Sequence, residues 1–535
     1  MTVRSVRDAT FDVLREYDLT TLFANPGSTE IMLLADLPDD LHFVLGVHES
    51  SVVGMAIGFA LGRGRPALAI LHTTAGFANG ISAIATARVN RAPLVVIVGQ
   101  QDRRHLAAQP FLAGRLRGLA GEYPVWIDEP VRAQDVPGAV ARAYHEAVTG
   151  RGPAVVIVPM DDWVADAGAD AERLAPRRVL RAAGVDPETI GALTAFLADS
   201  QRPALVAGSF ADEPESWDAL LALAERLGCP VWQEPFGGSA GFPQDHPQFA
   251  GHLPADRKRL REALAPYDAL LVVGGPAFRQ YPFAPGPFVE AGTRVAVVSR
   301  DPAEVHRSTA ELAIIGHPAA VCEALAKLVP ARDEAAGKPF APPAPPAPPG
   351  DGERLRAGHV LQALGERLPH DAIVIEESPS SRAELLARLP ARLPLTSLSP
   401  AMGGLGFAMP AATGLRMALP GRPVVAIVGD GSSLYSIQAL WSATQYHAGA
   451  LFVILSNGGY AIMDRLAEIH GGAGPWPAVE VDVSGLAQAF GCAARKVKTH
   501  DELLAALDEI VPSLGTRTEP LVLEVAVAPD ERFNP

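Results

Sequence analysis

At 535 residues the chain is too long for a single core, and three domains is the natural expectation. Apolar residues make up 48% and the formal net charge is -15, which fits a compact acidic protein and argues against nucleic acid or an anionic membrane as a partner. The three cysteines, Cys229, Cys322 and Cys492, are isolated, against a disulfide framework; no apolar run reaches spanning length and residues 1–10 lack an apolar stretch, so a cytoplasmic protein without export signal or membrane anchor is expected.

Up to about residue 165, helix-like and strand-like segments alternate. Residues 6–17 read as an amphipathic helix, and 22–24, 67–71, 94–98 and 154–158 as strands. This alternation predicts a parallel sheet covered on both faces. Asn25-Pro26-Gly27-Ser28 follows the first strand and by itself says no more than a turn. Glu49 opens a helix rich in glycine and alanine, whose small residues permit close backbone packing. An acid there also favours the positive end of the helix. His72 closes the strand 67–71. A lone histidine is ordinarily structural, yet Ser28, Glu49 and His72 all fall at strand ends of one sheet, where open α/β sheets take their ligands.

Residues 164–179 carry no strand or long helical signal and read as a connector. The second block, about 186–329, is again α/β, with strands near 204–207, 270–273 and 294–298 and a helix over 217–227. Gly208 stands alone after its strand, so the dinucleotide fingerprint is missing and nothing in this block proposes a nicotinamide or flavin site. Residues 330–352 are proline-rich and predict an extended, semi-rigid spacer. The expected division is 1–165, 180–330, a linker over 331–353, and 354–535.

The third block repeats the α/β pattern of the first. Its stretch 401–410 is glycine-rich, leaving room for a flat ring against backbone, with Leu405 as the one bulky member. Two apolar strands follow, 424–428 and 452–455, and each ends in an oxygen-bearing side chain and glycine. Asp430 offers a carboxylate, Asn457 an amide oxygen and Gly459 a bare carbonyl, the all-oxygen set that suits magnesium when it also holds a diphosphate. Gly431 and Ser432 open the next helix, so their N–H groups can meet phosphate oxygens. Only five lysines occur, all in charged, surface or linker contexts. Keto-acid chemistry on this chain must therefore borrow its electron sink from a cofactor.

Gly-Asp-Gly followed one crossover later by an apolar strand closing in Asn-Gly resembles the diphosphate and magnesium motif of thiamine-diphosphate enzymes. The three blocks are similar, in order, to that family's pyrimidine, central and diphosphate domains. Residues 25–28, 71–76, 98–101 and 403–408 are similar to those of the benzoylformate decarboxylases. The resemblance implies three doubly wound parallel-sheet domains, with thiamine diphosphate and Mg2+ as cofactors. It implies that Glu49 hydrogen-bonds the pyrimidine ring and that Leu405 bends the cofactor. It places Gly403, Gly431, Ser432, Ser380 and Tyr460 beside the cofactor, and Asp430, Asn457 and Gly459 on the metal. Ser28 and His72 would hold the substrate carboxylate and shuttle protons.

The implied reaction is non-oxidative decarboxylation of a small 2-keto acid, benzoylformate-like, to an aldehyde, with a carboligase of the acetolactate synthase type as the alternative. Glu49 and Asp430 would meet across a subunit interface, so the resemblance implies an obligatory homodimer, paired further into a homotetramer. The chain departs from the benzoylformate decarboxylases at Tyr281, where they carry a second histidine, and at Ser399 and Leu466, where phenylalanines line their aryl pocket. Ile462 and Met463 are likewise larger than their small counterparts. Tyr281 leaves the second proton-transfer role open, since a phenol titrates far above an imidazole.

Overall fold

Valine, isoleucine and leucine fill the strand runs, and because helices cover both faces of a parallel sheet these runs are apolar throughout rather than alternating. The computed structural model describes residues 4–168, 173–332, 339–350 and 352–529; parts of the expected connector and linker lie outside them. The first sheet comprises β1 (Thr21–Asn25), β2 (His42–Leu45), β3 (Ala67–Leu71), β4 (Leu94–Gln100), β5 (Trp126–Asp128) and β6 (Pro153–Pro159), in the order β2-β1-β3-β4-β6-β5. The central sheet comprises β7 (Pro203–Ala207), β8 (Val231–Gln233), β9 (Phe249–His252), β10 (Ala269–Val273), β11 (Arg294–Ser299) and β12 (Leu312–Ile315), in the order β12-β11-β10-β7-β8-β9.

The third sheet contains β13 (Leu355–Arg356), β14 (Ile373–Glu377), β15 (Ser397–Leu398), β16 (Val424–Gly429), β17 (Leu451–Ser456), β18 (Ala493–Val497) and β19 (Leu521–Ala528). It runs β13-β19-β17-β16-β14-β15, with β18 also on β19. All pairings between these strands are parallel. Apart from β13, the third sheet places its strands in the same chain-order sequence as the first: second, first, third, fourth, sixth, fifth. The expected three doubly wound domains are therefore present, and the third block does repeat the first.

The two outer sheets share one core. Phe23, Phe77 and Val96 of the first domain belong to the same buried cluster as Phe407, Val424 and Phe452 of the third. The join is made by the helix Glu49–Arg63 lying against the helix Ala408–Ala418. Small residues let the backbones touch: a Cβ at Gly58 would stand 2.0 Å from the Ala411 carbonyl oxygen, and one at Gly414 only 1.9 Å from that of Met55. The close packing expected from the glycines after Glu49 is thus realised, and its partner is the helix behind the Leu405 loop.

The central domain keeps its own cores on the two faces of its sheet. Its chain reverses direction between β7 and β10, where sheets of this kind form a ligand crevice. At this reversal two chain segments approach closely. A Cβ at Gly208 would come within 2.5 Å of Gly275 Cα, and Arg91 of the first domain enters beside them, its guanidinium 3.6 Å from the Phe210 ring centroid and ion-paired with buried Glu304. The described part of the proline-rich linker has no regular structure but is pinned to this domain. Phe340 donates its backbone N–H to the Phe249 carbonyl at 2.7 Å and packs edge-on to the Phe249 ring.

Candidate active site

In each outer sheet the chain reverses direction beside the first strand, between β1 and β3 and between β14 and β16, and both reversals gather polar side chains at the carboxyl ends of the strands. At the first, Glu49 begins its helix with His48 as N-cap, whose ring accepts from the Ser50 N–H. The Glu49 side chain is buried, and each carboxylate oxygen has one amide partner: Asn25 Nδ2 donates to Oε1 and Asn79 Nδ2 to Oε2, both at 3.1 Å. Gly76 lies between Glu49 and His72; a Cβ there would be 3.1 Å from Glu49 Oε1 and 3.2 Å from His72 Cβ.

His72 N-caps the helix Thr73–Val89. Its Nδ1 is 2.8 Å from Glu30 Oε2 and 3.0 Å from Thr29 Oγ, and Glu30 is almost fully buried. A carboxylate form of Glu30 accepts from Nδ1–H, the tautomer in which Nε2 is the proton-free nitrogen. Two glycines make this contact possible, since a Cβ at Gly27 would strike the imidazole at 2.4 Å and one at Gly99 would meet Glu30 Oε1 at 1.7 Å. Thr73, directly after the histidine, sits at φ +36°, a left-handed conformation costly for a β-branched residue. Ser28 is exposed at the tip of the same loop.

At the second reversal Asp430 ends β16, and its mostly buried carboxylate is met by backbone alone: Gly431 N–H donates to Oδ1 at 2.8 Å and Gly458 N–H to Oδ2 at 2.7 Å. Burial pushes its carboxyl above the usual range. Among the described residues no lysine, arginine or histidine pairs with it. Nor do three or more His, Cys, Asp or Glu among the described residues come together in a group that could hold a metal ion by themselves. A half-desolvated carboxylate without a cationic partner, beside an amide oxygen and a bare carbonyl, could hold a hard cation. Asn457 Oδ1 accepts from Gly459 N–H at 2.9 Å, so the Asn457–Gly459 turn curls round its own amide oxygen and faces Asp430 through Gly458.

The helix expected after Asp430 is a single turn, Asp430–Ser433, which starts one residue earlier than expected. A Cβ at Gly431 would find only Val479, at 3.8 Å. Ser432 is buried, Ser380 half-buried in a short 3-10 turn, and Tyr460 faces the Trp476 ring with centroids 6.2 Å apart.

The Leu405 loop leads into the helix Ala408–Ala418 of the interdomain join, and a Cβ at Gly406 would stand 3.2 Å from Tyr435 Cβ, just after the Asp430 turn. Gly403 and Gly406 have φ of +72° and +93°, and a Cβ at Gly403 would have nothing within 4 Å, so the loop is glycine-shaped and open on one side. Leu405 is half-buried. The far end of the loop is fixed by Glu377, the last residue of β14, whose carboxylate accepts from the backbone N–H groups of Gly406, Phe407 and Ala408 at 2.6–2.7 Å. Complete burial nonetheless pushes its carboxyl up to about 7.

Glu49, His72 and the Ser28 loop therefore form one group, and Asp430, Asn457, Gly459, Gly431 and Ser432 another with the Gly403–Leu405 loop beside it. No hydrogen bond or ion pair among the described residues joins Glu49 or His72 to Asp430 or Asn457. Sequence reasoning did not find Glu30, Asn79 or Glu377. The residues at which the chain departs from the benzoylformate decarboxylases are also placed. Ser399 turns its hydroxyl to the Gly237 carbonyl at 3.0 Å, Tyr281 is 62% exposed with its ring 6.3 Å from that of Phe236, and Ile462, Met463 and Leu466 lie half-buried along one short helix.

Family profiles account for all three domains: the N-terminal thiamine pyrophosphate binding domain matches residues 4–117, the central domain 190–325 and the C-terminal thiamine pyrophosphate binding domain 383–525. The chain belongs to the thiamine pyrophosphate enzyme family. Within it, the chain is 38% identical to a benzoylformate decarboxylase of Pseudomonas aeruginosa, over 98% of this chain and 99% of that one. Two solved structures superpose along almost the whole length. The thiamine diphosphate-dependent 4-hydroxybenzoylformate decarboxylase of Rhodococcus jostii RHA1 gives a TM-score of 0.93 at 33% identity, over 99% of this chain and 100% of that one. The benzoylformate decarboxylase of Polynucleobacter necessarius gives 0.93 at 31%, with the same coverage. Among the described residues no helix is long and apolar enough to cross a membrane.

Proposed function

We propose that the protein is a thiamine-diphosphate and Mg2+ dependent decarboxylase of 2-keto acids, releasing carbon dioxide and an aldehyde from a benzoylformate-like substrate. The observation that carries this reading is the likeness to a benzoylformate decarboxylase along the full length of both chains. The residues present suit the cofactor. Asp430, Asn457 and the Gly459 carbonyl would hold the metal, with Gly431, Ser432, Ser380 and Tyr460 lining the diphosphate end. Gly403 and Leu405 would lie against the rings. When bound, thiamine diphosphate supplies the electron sink that lets carbon dioxide leave.

The chain's own contribution is proton handling and exclusion of water. Glu49, held at both oxygens by Asn25 and Asn79, would share its proton with the pyrimidine ring from one fixed orientation. His72 presents Nε2 toward substrate because Glu30 holds Nδ1, so this nitrogen takes up and returns a proton without the ring turning. Ser28 would bind the substrate carboxylate. Tyr281, which is exposed, replaces the second histidine of the resemblance and leaves that proton-transfer role open, with His72 as the residue proposed to move protons. The family resemblance, in which the pyrimidine domain of one subunit faces the diphosphate domain of another, supports reading the complete site as forming between two subunits, in a homodimer paired into a tetramer.

The test is direct. Purified protein with thiamine diphosphate and magnesium, given benzoylformate and a panel of aliphatic 2-keto acids, should release aldehyde and carbon dioxide in equal amounts, with benzoylformate preferred. An acyloin or acetolactate-type product in place of free aldehyde would replace this reading with a carboligase.

A further inference from the structure

The Leu405 loop is held at two ends by different domains. Glu377 of its own domain grips the trailing end, through the N–H groups of residues 406–408. The leading end is gripped by Asn90, the C-cap of the helix that begins at His72. Its Nδ2 donates to the Ser399 carbonyl at 2.8 Å, and its Oδ1 accepts from the Ala401 N–H at 3.0 Å. Between and just beyond these two anchor points runs a tight turn in which Gly403 N–H returns to the Pro400 carbonyl at 2.8 Å.

A side-chain amide carries its donor and its acceptor on two separate atoms, so it can meet a carbonyl and an N–H two residues apart at once, donating to the first and accepting from the second. Room for it comes from the central domain. A Cβ at Gly238 would stand 3.0 Å from Asn90 Nδ2, and the Gly238 carbonyl accepts from Ser399 N–H at 3.0 Å. All three domains thus meet on the four residues that lead into Gly403. One turn earlier on the same helix Thr86 supports the loop itself, its Oγ 3.4 Å from where a Cβ of Gly404 would be.

We propose that Asn90 is a positioning residue for the cofactor loop: its amide fixes the Pro400–Gly403 turn and through it the placement of Gly403 and Leu405. This rests on the thiamine-diphosphate reading above. Loss of two hydrogen bonds that hold the loop in its binding shape lowers cofactor affinity, because the unbound loop samples other conformations that binding must then restrict. It also lowers turnover.

The experiment measures thiamine diphosphate affinity, by titration calorimetry with magnesium present, for the wild-type protein and for Asn90→Ala, Asn90→Asp and Arg392→Ala. Arg392 pairs with Asp245 across the junction of the central and third domains and serves as a control for interdomain contact as such. Asn90→Asp keeps the shape but sets a carboxylate oxygen against the Ser399 carbonyl. Both Asn90 variants should bind about tenfold to a hundredfold more weakly, with Asn90→Asp at least as impaired as Asn90→Ala. Backbone amides of 399–406 should exchange faster with solvent, and Arg392→Ala should bind as wild type.

Wild-type affinity in Asn90→Asp would overturn the proposal, since it would reduce Asn90 to space-filling. So would an equal loss in Arg392→Ala. If Asn90→Ala does not fold, the shape-matched Asn90→Asp carries the test. Failure of the wild-type protein to bind thiamine diphosphate would instead remove the functional reading itself.

Discussion

The two outer sheets share a strand order and differ in what they place at the same edge. In the first, the loops after β1, β2 and β3 carry Glu30, Glu49 and His72, with Glu49 held by two side-chain amides and His72 by the Thr29 hydroxyl and Glu30. In the third, the loops after β14, β16 and β17 carry Glu377, Asp430 and Asn457, whose oxygens are satisfied largely by backbone N–H groups of glycine-rich turns. The same topology thus serves two kinds of chemistry. On the proposed function, side-chain partners would fix where a proton sits, whereas backbone donors would leave oxygens arranged for a cation and a diphosphate. The fold supplies the edge, and the loop residues decide its use.

Substitutions at each edge should fail in different ways. Asp430→Ala is expected to abolish turnover by abolishing cofactor retention, and removal of divalent metal with a chelator should mimic it; calorimetry would show thiamine diphosphate no longer binding. Glu49→Gln should instead keep cofactor affinity within a few-fold while lowering kcat by about 10²–10⁴. His72→Ala should lower kcat by about 10²–10³ with the cofactor still bound. Glu30→Gln, which replaces a carboxylate beside Nδ1 with an amide, should lower kcat less than His72→Ala does, with cofactor affinity unchanged, as steady-state kinetics and calorimetry would show.

Stability separates the two regions as well. Gly58→Val drives a side chain into the Ala411 carbonyl where the outer domains share their core, and overpacking of this kind costs about 1–3 kcal/mol or more, readable as a lower Tm. Glu377 gives a smaller, pH-dependent effect. Its carboxyl is pushed from 4.5 to about 7 in the folded chain, so the folded state binds this proton more tightly than the unfolded one. The resulting stability is complete below about pH 4.5 and is lost as pH rises through about 7, a span worth about 3 kcal/mol. Denaturant titrations across that range should show a shallower decline for Glu377→Gln than for wild type.

Much of this division was legible in the sequence. Apolar runs ending in Gly-Asp-Gly and Asn-Gly announce a strand edge with oxygen ligands, and Glu49 and His72 stand at strand ends that hydrophobic periodicity places correctly. Glu30 was not legible, because its meaning depends on β3 lying next to β1 and on Gly99 of β4 lacking a side chain, neither of which is local to residue 30. Glu377 reads as one acid of a pair at the end of an apolar run until the fold returns residues 406–408 to it. The helix after Asp430 begins one residue earlier than the sequence reading placed it and lasts a single turn, since the glycine and serines there suit a turn as well as a helix start.

The central claim, that the proton-handling edge of one subunit completes the metal and diphosphate edge of another, is tested most directly by mixing two inactive chains. Glu49→Gln and Asp430→Ala proteins, each without decarboxylase activity alone, are co-expressed with separate tags, the mixed oligomer is isolated, and carbon dioxide release from benzoylformate is measured. Sites built between subunits place both intact edges together in half of the sites of each mixed pair, so about half of wild-type activity should return. Sites built within one chain would carry a lesion in every copy, and a mixed oligomer as inactive as its parents would contradict the account.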